Sequence, residues 1–214
     1  MSDALGARFR YIVVEGPIGA GKTSLARRLA ERSSARLLLE NPDANPFLPG
    51  FYQDAPRYAL SAQLYFLLQR IEQVRELPHN DSSRVTVADF MLAKDSLFAS
   101  ITLDAAELKL YDALYAHLRP QAPIPDLVLY LQADPGILLD RVHRRHAQFE
   151  RGITLEYLTK LSAAYARFFY DYTAAPLLIV NSENLNFVDR DADFELLLQR
   201  VRDLKGAREY FNMG

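Results

Sequence analysis

A glycine-rich stretch near the start of the chain has the residue types and spacing of a phosphate-binding loop. GPIGAGKTS, at 16–24, places Gly16, Gly21, Lys22 and Thr23 in the pattern Gly-x-x-x-x-Gly-Lys-Thr. Glycines let several backbone N–H groups point at one anion, the lysine adds a charge for the β- and γ-phosphates, and the threonine hydroxyl can bind Mg²⁺. We therefore expect a site for ATP or GTP. Its predicted binding residues are Gly16, Pro17, Ile18, Gly19, Ala20, Gly21, Lys22, Thr23 and Ser24.

A carboxylate ends the second apolar run of the chain, RLLLE at 36–40. Open α/β sheets bind ligands at the carboxyl ends of their strands, so Glu40 could orient or deprotonate a hydroxyl that attacks the bound triphosphate. The alternative is an ordinary solvated acid at a strand end. The chain has no Asn-Lys-x-Asp sequence and no Asp-x-x-Gly directly after the third apolar run, which disfavours a GTPase. A small-molecule kinase fits better.

A parallel sheet is needed to bring these residues together, and the pattern of the chain predicts one. Apolar runs alternate with helical patterns, which is typical of an α/β fold with a five-stranded parallel sheet and helices on both faces. The predicted strands are YIVVE (11–15), RLLLE (36–40), RVTVA (84–88), DLVLYLQ (126–132) and PLLIV (176–180). The predicted helices span about 22–33, 58–77, 93–101, 104–118, 154–172 and 190–204, and a further one begins at Pro135. Asp104 is a predicted N-cap.

The overall composition narrows the class of protein. The chain has 214 residues, a net charge of −2 and no cysteine, which excludes disulfides, thiolate metal sites and cysteine nucleophiles. That charge gives no electrostatic case for nucleic acid or an acidic membrane surface. No apolar run is long enough to span a bilayer, and no secretory signal is evident. We expect a single domain over 1–214, located in the cytoplasm.

Four segments in order resemble the deoxynucleoside kinase family. They are GPIGAGKTSLA, the pair Glu40-Asn41 where the family has Glu-Pro, QLYFLLQR (63–70), and FERGITLEYLTKLSAAY (149–165). The similarity runs from about residue 10 to 187. It implies a P-loop kinase fold, ATP and Mg²⁺ as cofactors, and a deoxyribonucleoside as the acceptor substrate.

The resemblance also implies roles for individual residues. Glu40 is the general base that takes the proton of the 5′-hydroxyl. Gln63 makes a paired hydrogen bond with the nucleobase, and Arg70, two helical turns later, lines the same pocket. Tyr52 and Glu150 hold the 3′-hydroxyl of the sugar. The alternatives are an ordinary surface amide at Gln63 and a core aromatic ring at Tyr52.

A basic segment resembles the family's lid, which closes over the transferring phosphoryl group. The lid is expected at about 143–152, and Arg141, Arg145 and Glu150 match its pattern. A third arginine of that pattern is replaced by Ala147, so Arg144 or His146 is expected to supply the charge. We expect Arg141 and Arg145 to be catalytic together with Glu40 and Lys22. The alternative is a solvated basic helix end.

The chain departs from the family after its third strand. The family has a Glu/Asp-Arg-Ser triplet, whose arginine contacts the 5′-oxygen and the base carboxylate, whereas this chain has Asp89 followed by phenylalanine and methionine. Asp89 is still expected to contribute to the substrate site and to bind Mg²⁺ with Thr23. Lys94 or Asp95 is expected to reshape this corner, with a structural ion pair on a helix surface as the alternative.

These residues lead to one function and two alternatives. We expect ATP-dependent phosphorylation of the 5′-hydroxyl of a deoxyribonucleoside, with purines favoured, for nucleotide salvage. One alternative is a nucleoside monophosphate kinase of the thymidylate kinase type, and the other is a degenerate kinase that binds nucleotide without catalysis. The resemblance also implies a homodimer, which the helix faces at 58–77 and 104–118 would allow.

Overall fold

A parallel β-sheet forms the centre of the molecule. The computed structural model describes residues 8–77, 84–118, 122–145, 150 and 152–212. The strands of the sheet are β1 (Tyr11–Glu15), β2 (Arg36–Leu38), β3 (Thr86–Ala88), β4 (Leu127–Gln132), β5 (Leu177–Asn181) and β6 (Arg208–Phe211). They lie side by side in the order β2-β3-β1-β4-β5-β6, and every neighbouring pair is parallel. The predicted α/β fold with a parallel sheet is confirmed.

The predicted number of five strands is wrong, because β6 adds a sixth within the described residues. This strand lies at the edge of the sheet next to β5, and its residues are half-buried or exposed. Edge strands need no continuous apolar run, and REYF offers none. By contrast, β1 and β4 are almost entirely buried, so both faces of the central sheet are covered.

Helices connect successive strands of the sheet. They are α1 (Lys22–Ser33), α2 (Leu48–Phe51), α3 (Ala55–Arg75), α4 (Lys94–Thr102), α5 (Ala105–Leu118), α6 (Pro135–Arg145), α7 (Leu155–Asp171) and α8 (Asp191–Asp203). Asp104 caps α5 as predicted, since its Oδ1 accepts hydrogen bonds from two backbone N–H groups of the first turn. Thr154 likewise caps α7 by accepting the N–H of Tyr157. No helix in the described part of the chain is long and apolar enough to cross a membrane.

The proline-rich segment after β2 is more ordered than a plain loop. It contains a short 3₁₀ turn at Pro42–Ala44 and the helix α2, and α3 begins at Ala55 rather than at Tyr58. Proline in the first turn of a helix loses no hydrogen bond, so Pro56 allows the earlier start. These helices form one wall of the substrate cavity described below.

The strand order determines where the chemical groups meet. β1 lies between β3 and β4, and β3 lies between β1 and β2. The registers pair Val13 and Leu38 with the same residue, Ala88, so the carboxyl ends of β1, β2 and β3 are level. The phosphate loop, Glu40 and Asp89 therefore emerge at one edge of the sheet.

Candidate active site

The phosphate loop is shaped by glycines that other residues could not replace. Gly19 and Gly21 have φ angles of +84° and +93°, which side chains rarely adopt. A Cβ atom on Gly19 would lie 2.6 Å from the carbonyl oxygen of Leu138. α1 begins directly after the loop at Lys22, so the N–H groups of its first turn are available to an anion.

Lys22 lies in a crowded, desolvated position. Its Nζ donates to the carbonyl oxygen of Pro17 at 3.0 Å. Burial and the charge of Lys94 lower the pKa of Lys22 to about 8, although the carboxylates of Glu15, Glu40 and Asp89 act in the opposite direction. A bound triphosphate would add negative charge and favour the protonated lysine.

Glu40 is held as a carboxylate by two cations. Its Oε1 accepts a hydrogen bond from Arg70 Nε at 2.8 Å and another from Arg70 Nη2, and its Oε2 accepts one from Lys94 Nζ at 3.3 Å. Burial raises the pKa of Glu40, but the charges of Arg70 and Lys94 outweigh it and lower the pKa to about 2. Glu40 is therefore ionised and oriented at neutral pH.

Asp89 connects the end of β3 to both neighbouring segments. Its Oδ1 accepts the backbone N–H of Glu40 at 2.8 Å, and its Oδ2 accepts the hydroxyl of Thr23 at 2.5 Å. The two predicted Mg²⁺ ligands are therefore adjacent. No cluster of three or more histidine, cysteine, aspartate or glutamate side chains that could hold a metal occurs in the described ranges. One carboxylate and one hydroxyl fit Mg²⁺, because this ion takes most of its remaining ligands from substrate phosphates and water.

One cavity joins the phosphate loop to the predicted substrate residues. It encloses about 1000 Å³ of empty space, including its opening to solvent. Its lining contains Lys22, Thr23 and Arg145 and every predicted substrate residue. Those substrate residues are Glu40, Tyr52, Gln63, Arg70, Asp89 and Glu150. The structure thus brings together residues from six separate segments of the chain.

The helix α3 presents Gln63 and Arg70 to this cavity, as their spacing predicted. Both are almost fully buried, and the Oε1 atom of Gln63 has no hydrogen-bond partner. A buried amide oxygen without a partner is costly, so it suits a ligand that can donate a hydrogen bond. Arg70 also bonds Asp95 through Nη1 and lies over the ring of Phe66 at 4.9 Å.

Tyr52 and Glu150 form another wall of the cavity. The Tyr52 ring packs edge to face against Tyr157, with centroids 6.4 Å apart. Burial, Tyr157 and the charge of Glu150 raise the pKa of Tyr52 well above its usual value, so its hydroxyl stays protonated. The Glu150 carboxylate pairs with Arg145, whose Nε donates to Oε2 at 3.1 Å.

The two predicted lid arginines share one cavity, and one of them also reaches the substrate. Arg141 and Arg145 both line a second cavity beside the phosphate loop, with Phe187 on its wall, and Arg145 lines the substrate cavity as well. Arg141 donates to the backbone oxygen of Ser182 at 2.6 Å and to its hydroxyl at 3.1 Å. The remaining lid positions 146–149 and 151, which include His146 and Ala147, lie outside the described residues.

Three buried charged residues of the site, Glu15, Lys94 and Asp95, were given no definite role by the sequence. Glu15, at the end of β1, accepts the N–H of Gly16, the N–H of Met91 and the hydroxyl of Tyr165. Lys94 lies beside Glu15 and Glu40, while Asp95 lies beside Arg70. The sequence did contain a signal for Glu15, because an acidic residue ends the apolar run YIVVE directly before the phosphate loop. Lys94 and Asp95 were open between a site role and a surface pair, and both prove to be buried.

Comparison with known proteins places these observations in a family. The family model described as "Deoxynucleoside kinase" matches residues 12–205. The chain is 30% identical over 200 residues to the deoxyguanosine kinase of Bacillus subtilis (strain 168), covering 91% of this chain and 97% of the relative. It is 31% identical over 193 residues to the deoxyadenosine kinase of Lactobacillus acidophilus, covering 84% and 88%.

A solved structure supports the fold independently. The deoxyadenosine kinase from M. mycoides with bound dATP superposes with a TM-score of 0.79, at 21% identity, over 91% of this chain and all of that one. At this identity the likeness shows the fold alone.

Proposed function

The chain belongs to the deoxynucleoside kinase family, and on that premise we propose that it phosphorylates the 5′-hydroxyl of purine deoxyribonucleosides with ATP, for nucleotide salvage. The observation that carries the proposal is the single cavity that joins Lys22, Glu40 and Gln63. It provides a place for phosphates, a carboxylate for the hydroxyl and an amide for the base.

The residues around the phosphates would hold the donor in place. Lys22 and the N–H groups of the loop would bind the β- and γ-phosphates, and Thr23 and Asp89 would hold Mg²⁺. The ion would supply positive charge to the phosphate oxygens when bound. Arg145 reaches the cavity and would stabilise charge on the transferred group. We propose that Arg141, in the adjoining cavity, acts on the donor from the far side of the loop.

The acceptor would lie between Glu40 and α3. The ionised Glu40 would orient the 5′-hydroxyl and take its proton as the oxygen attacks the γ-phosphorus. Tyr52 and Glu150 would bind the 3′-hydroxyl, and Arg70 would order both Glu40 and the base side of the cavity. This arrangement acts mainly by positioning and by electrostatics, as phosphoryl transfer requires.

The purine preference rests on the relatives, which are named deoxyguanosine kinase and deoxyadenosine kinase. The unpartnered Oε1 atom of Gln63 suits a hydrogen-bond donor on the edge of the base, which purines and pyrimidines both carry, so it supports a nucleobase at this place without selecting one. A monophosphate acceptor fits less well, because its phosphate would approach the ionised Glu40. Family membership likewise favours an enzyme over a protein that only binds nucleotide.

We further propose the assembly and the setting of the enzyme. The exposed Leu68 on α3 and Leu110 on α5 would contribute to a homodimer interface. A single domain over 1–214, a cytoplasmic location, and the absence of nucleic-acid and membrane partners remain our predictions. Sedimentation equilibrium of the purified protein tests the dimer.

An ADP-release assay tests the acceptor. The four deoxynucleosides and their four monophosphates are each offered with ATP and Mg²⁺, and Lys22→Ala is the inactive control. We expect the largest kcat/KM with deoxyguanosine or deoxyadenosine. Turnover with monophosphates alone would show that the acceptor is a nucleotide, and a preference for a pyrimidine nucleoside would refute the assignment of the base.

A further inference from the structure

We propose that Lys94 is a catalytic residue whose ammonium group donates a hydrogen bond to the acceptor oxygen while it holds Glu40. This inference rests on the proposed function, in which Glu40 faces the acceptor hydroxyl. It concerns the corner of the site that follows Asp89. The chain has no arginine there, because Phe90 comes next and is fully buried in the core.

The position of Lys94 is unusual for a lysine. It is the first residue of α4, its side chain is 2% exposed, and it nevertheless lines the same cavity as Glu40 and Lys22. Its Nζ lies 3.3 Å from Oε2 of Glu40 and 3.6 Å from Oε1 of Glu15. A lysine is rarely buried unless it is paired, and a structural lysine has no need to border a substrate cavity.

Glu15 lies next to the Lys94 ammonium group, at 3.6 Å, and helps to hold it in place. Its two oxygens already accept hydrogen bonds from Gly16, Met91 and Tyr165, so the carboxylate is held rigidly from three directions. At 3.6 Å it attracts Lys94 mainly by charge. An ammonium group has three donors, of which one is used by Glu40 and one faces Glu15. The third donor remains for a group inside the cavity.

Arg70 cannot take this place, because its guanidinium is already committed. Its Nε and Nη2 bond Oε1 of Glu40, and its Nη1 bonds Asp95. Lys94 approaches the other oxygen of Glu40, Oε2. A hydroxyl that hydrogen-bonds Oε2 therefore arrives next to the lysine.

A contact between Lys94 and the acceptor oxygen would assist phosphoryl transfer. The 5′-oxygen passes its proton to Glu40, forms a bond to the γ-phosphorus, and ADP leaves with the electron pair of the broken bond. Negative charge on the attacking oxygen is stabilised by a donor that is already in place, which costs no reorganisation. Lys94 also keeps Glu40 aimed at the hydroxyl.

The test separates kcat from binding. Lys94→Met should lower kcat with the best nucleoside about 10²- to 10³-fold, as for the loss of one preorganised donor. The Kd values for the nucleoside and for ATP should change much less. Lys94→Arg should recover part of kcat. The matched control is Lys160→Met, because Lys160 is an exposed lysine on α7 that pairs only with its neighbour Glu156 among the contacts of the described residues.

The absence of cysteine in the chain allows a chemical rescue that does not depend on how well Lys94→Met folds. Lys94→Cys is alkylated with 2-bromoethylamine in denaturant and refolded, which restores an ammonium group of nearly the same length. Wild type treated in the same way is the control. We expect kcat to return with the ammonium group, and no gain after alkylation with a neutral reagent of similar size.

Two results would overturn the role of Lys94. One is a folded Lys94→Met that keeps kcat within about threefold of wild type. The other is a loss of activity that follows only the fraction of folded protein and that the neutral alkylated form also restores. The Glu40→Gln variant distinguishes an error in the role of Lys94 from an error in the proposed site as a whole. If Glu40→Gln keeps full kcat, the proposed site is wrong; if it loses kcat while Lys94→Met does not, Lys94 alone is misassigned.

Discussion

Replacing Glu40 with glutamine removes the carboxylate charge that pairs with Arg70 and Lys94. Burial raises the pKa of Glu40, yet the two cations lower it from 4.5 to about 2. One pKa unit corresponds to about 1.4 kcal/mol, so the ionised carboxylate contributes about 3 kcal/mol to the free energy of unfolding at neutral pH. Glu40→Gln should be destabilised by about this amount at pH 7.

The destabilisation of Glu40→Gln should depend on pH, and the lowered pKa of Glu40 determines in which direction. The pKa in the folded protein lies below the value of 4.5 for the unfolded chain, so the stabilisation is fully present above pH 4.5 and is lost as the pH falls toward 2. Near pH 3 less than half of it, about 1 kcal/mol, should remain. The difference in unfolding free energy between wild type and Glu40→Gln should therefore shrink by about 2 kcal/mol between pH 7 and pH 3.

Urea unfolding followed by far-UV circular dichroism measures this difference at both pH values. Glu31→Gln, at an exposed position of α1, is the matched control and should change the free energy of unfolding by less than about 0.5 kcal/mol at either pH. A destabilisation of Glu40→Gln that is equal at both pH values, or that grows toward acid pH, would show that the two cations do not hold the Glu40 carboxylate.

Three further predictions concern the two ends of the cavity. Because the pKa of Lys22 is lowered to about 8, kcat/KM for ATP should fall above that pH as the lysine loses its proton, while kcat, measured with ATP bound, should fall less in the same pH titration. Tyr52→Phe should weaken deoxynucleoside binding several-fold by calorimetry, since one hydrogen bond contributes about 1 kcal/mol, with unchanged ATP affinity. Gly19→Ala should weaken ATP binding strongly, because its Cβ would lie 2.6 Å from the oxygen of Leu138; normal affinity would refute the assigned loop.

Local patterns in the sequence were sufficient for much of the fold. The apolar runs of β1, β4 and β5, the glycine and lysine spacing of the loop, the cap at Asp104 and the start of a helix at Thr154 all depend on neighbouring residues, so they could be predicted. β6 could not, because an edge strand is half-solvated and its residues carry no apolar pattern. Its pairing with β5 is set by tertiary structure alone.

Some residues of the site could likewise be predicted from local sequence, and others could not. Gln63 and Arg70 share a face of one helix, so their spacing predicted that they would meet. The roles of Lys94 and Asp95 stayed open, because adjacent residues at the start of a helix can turn to different partners. The structure directs Lys94 to Glu40 and Asp95 to Arg70 across long stretches of chain. Such pairings depend on the order of strands, which a single sequence does not reveal.

The most direct test of the account is the effect of Glu40→Gln on phosphoryl transfer itself. Wild type should convert deoxyguanosine or deoxyadenosine to the 5′-monophosphate with one ADP formed for each product molecule. Glu40→Gln should bind the same nucleoside with similar affinity but show a kcat that is about 10²- to 10⁴-fold lower, as for loss of a general base. Full kcat in Glu40→Gln, with the nucleoside still bound, would contradict the claim that Glu40 receives the acceptor hydroxyl.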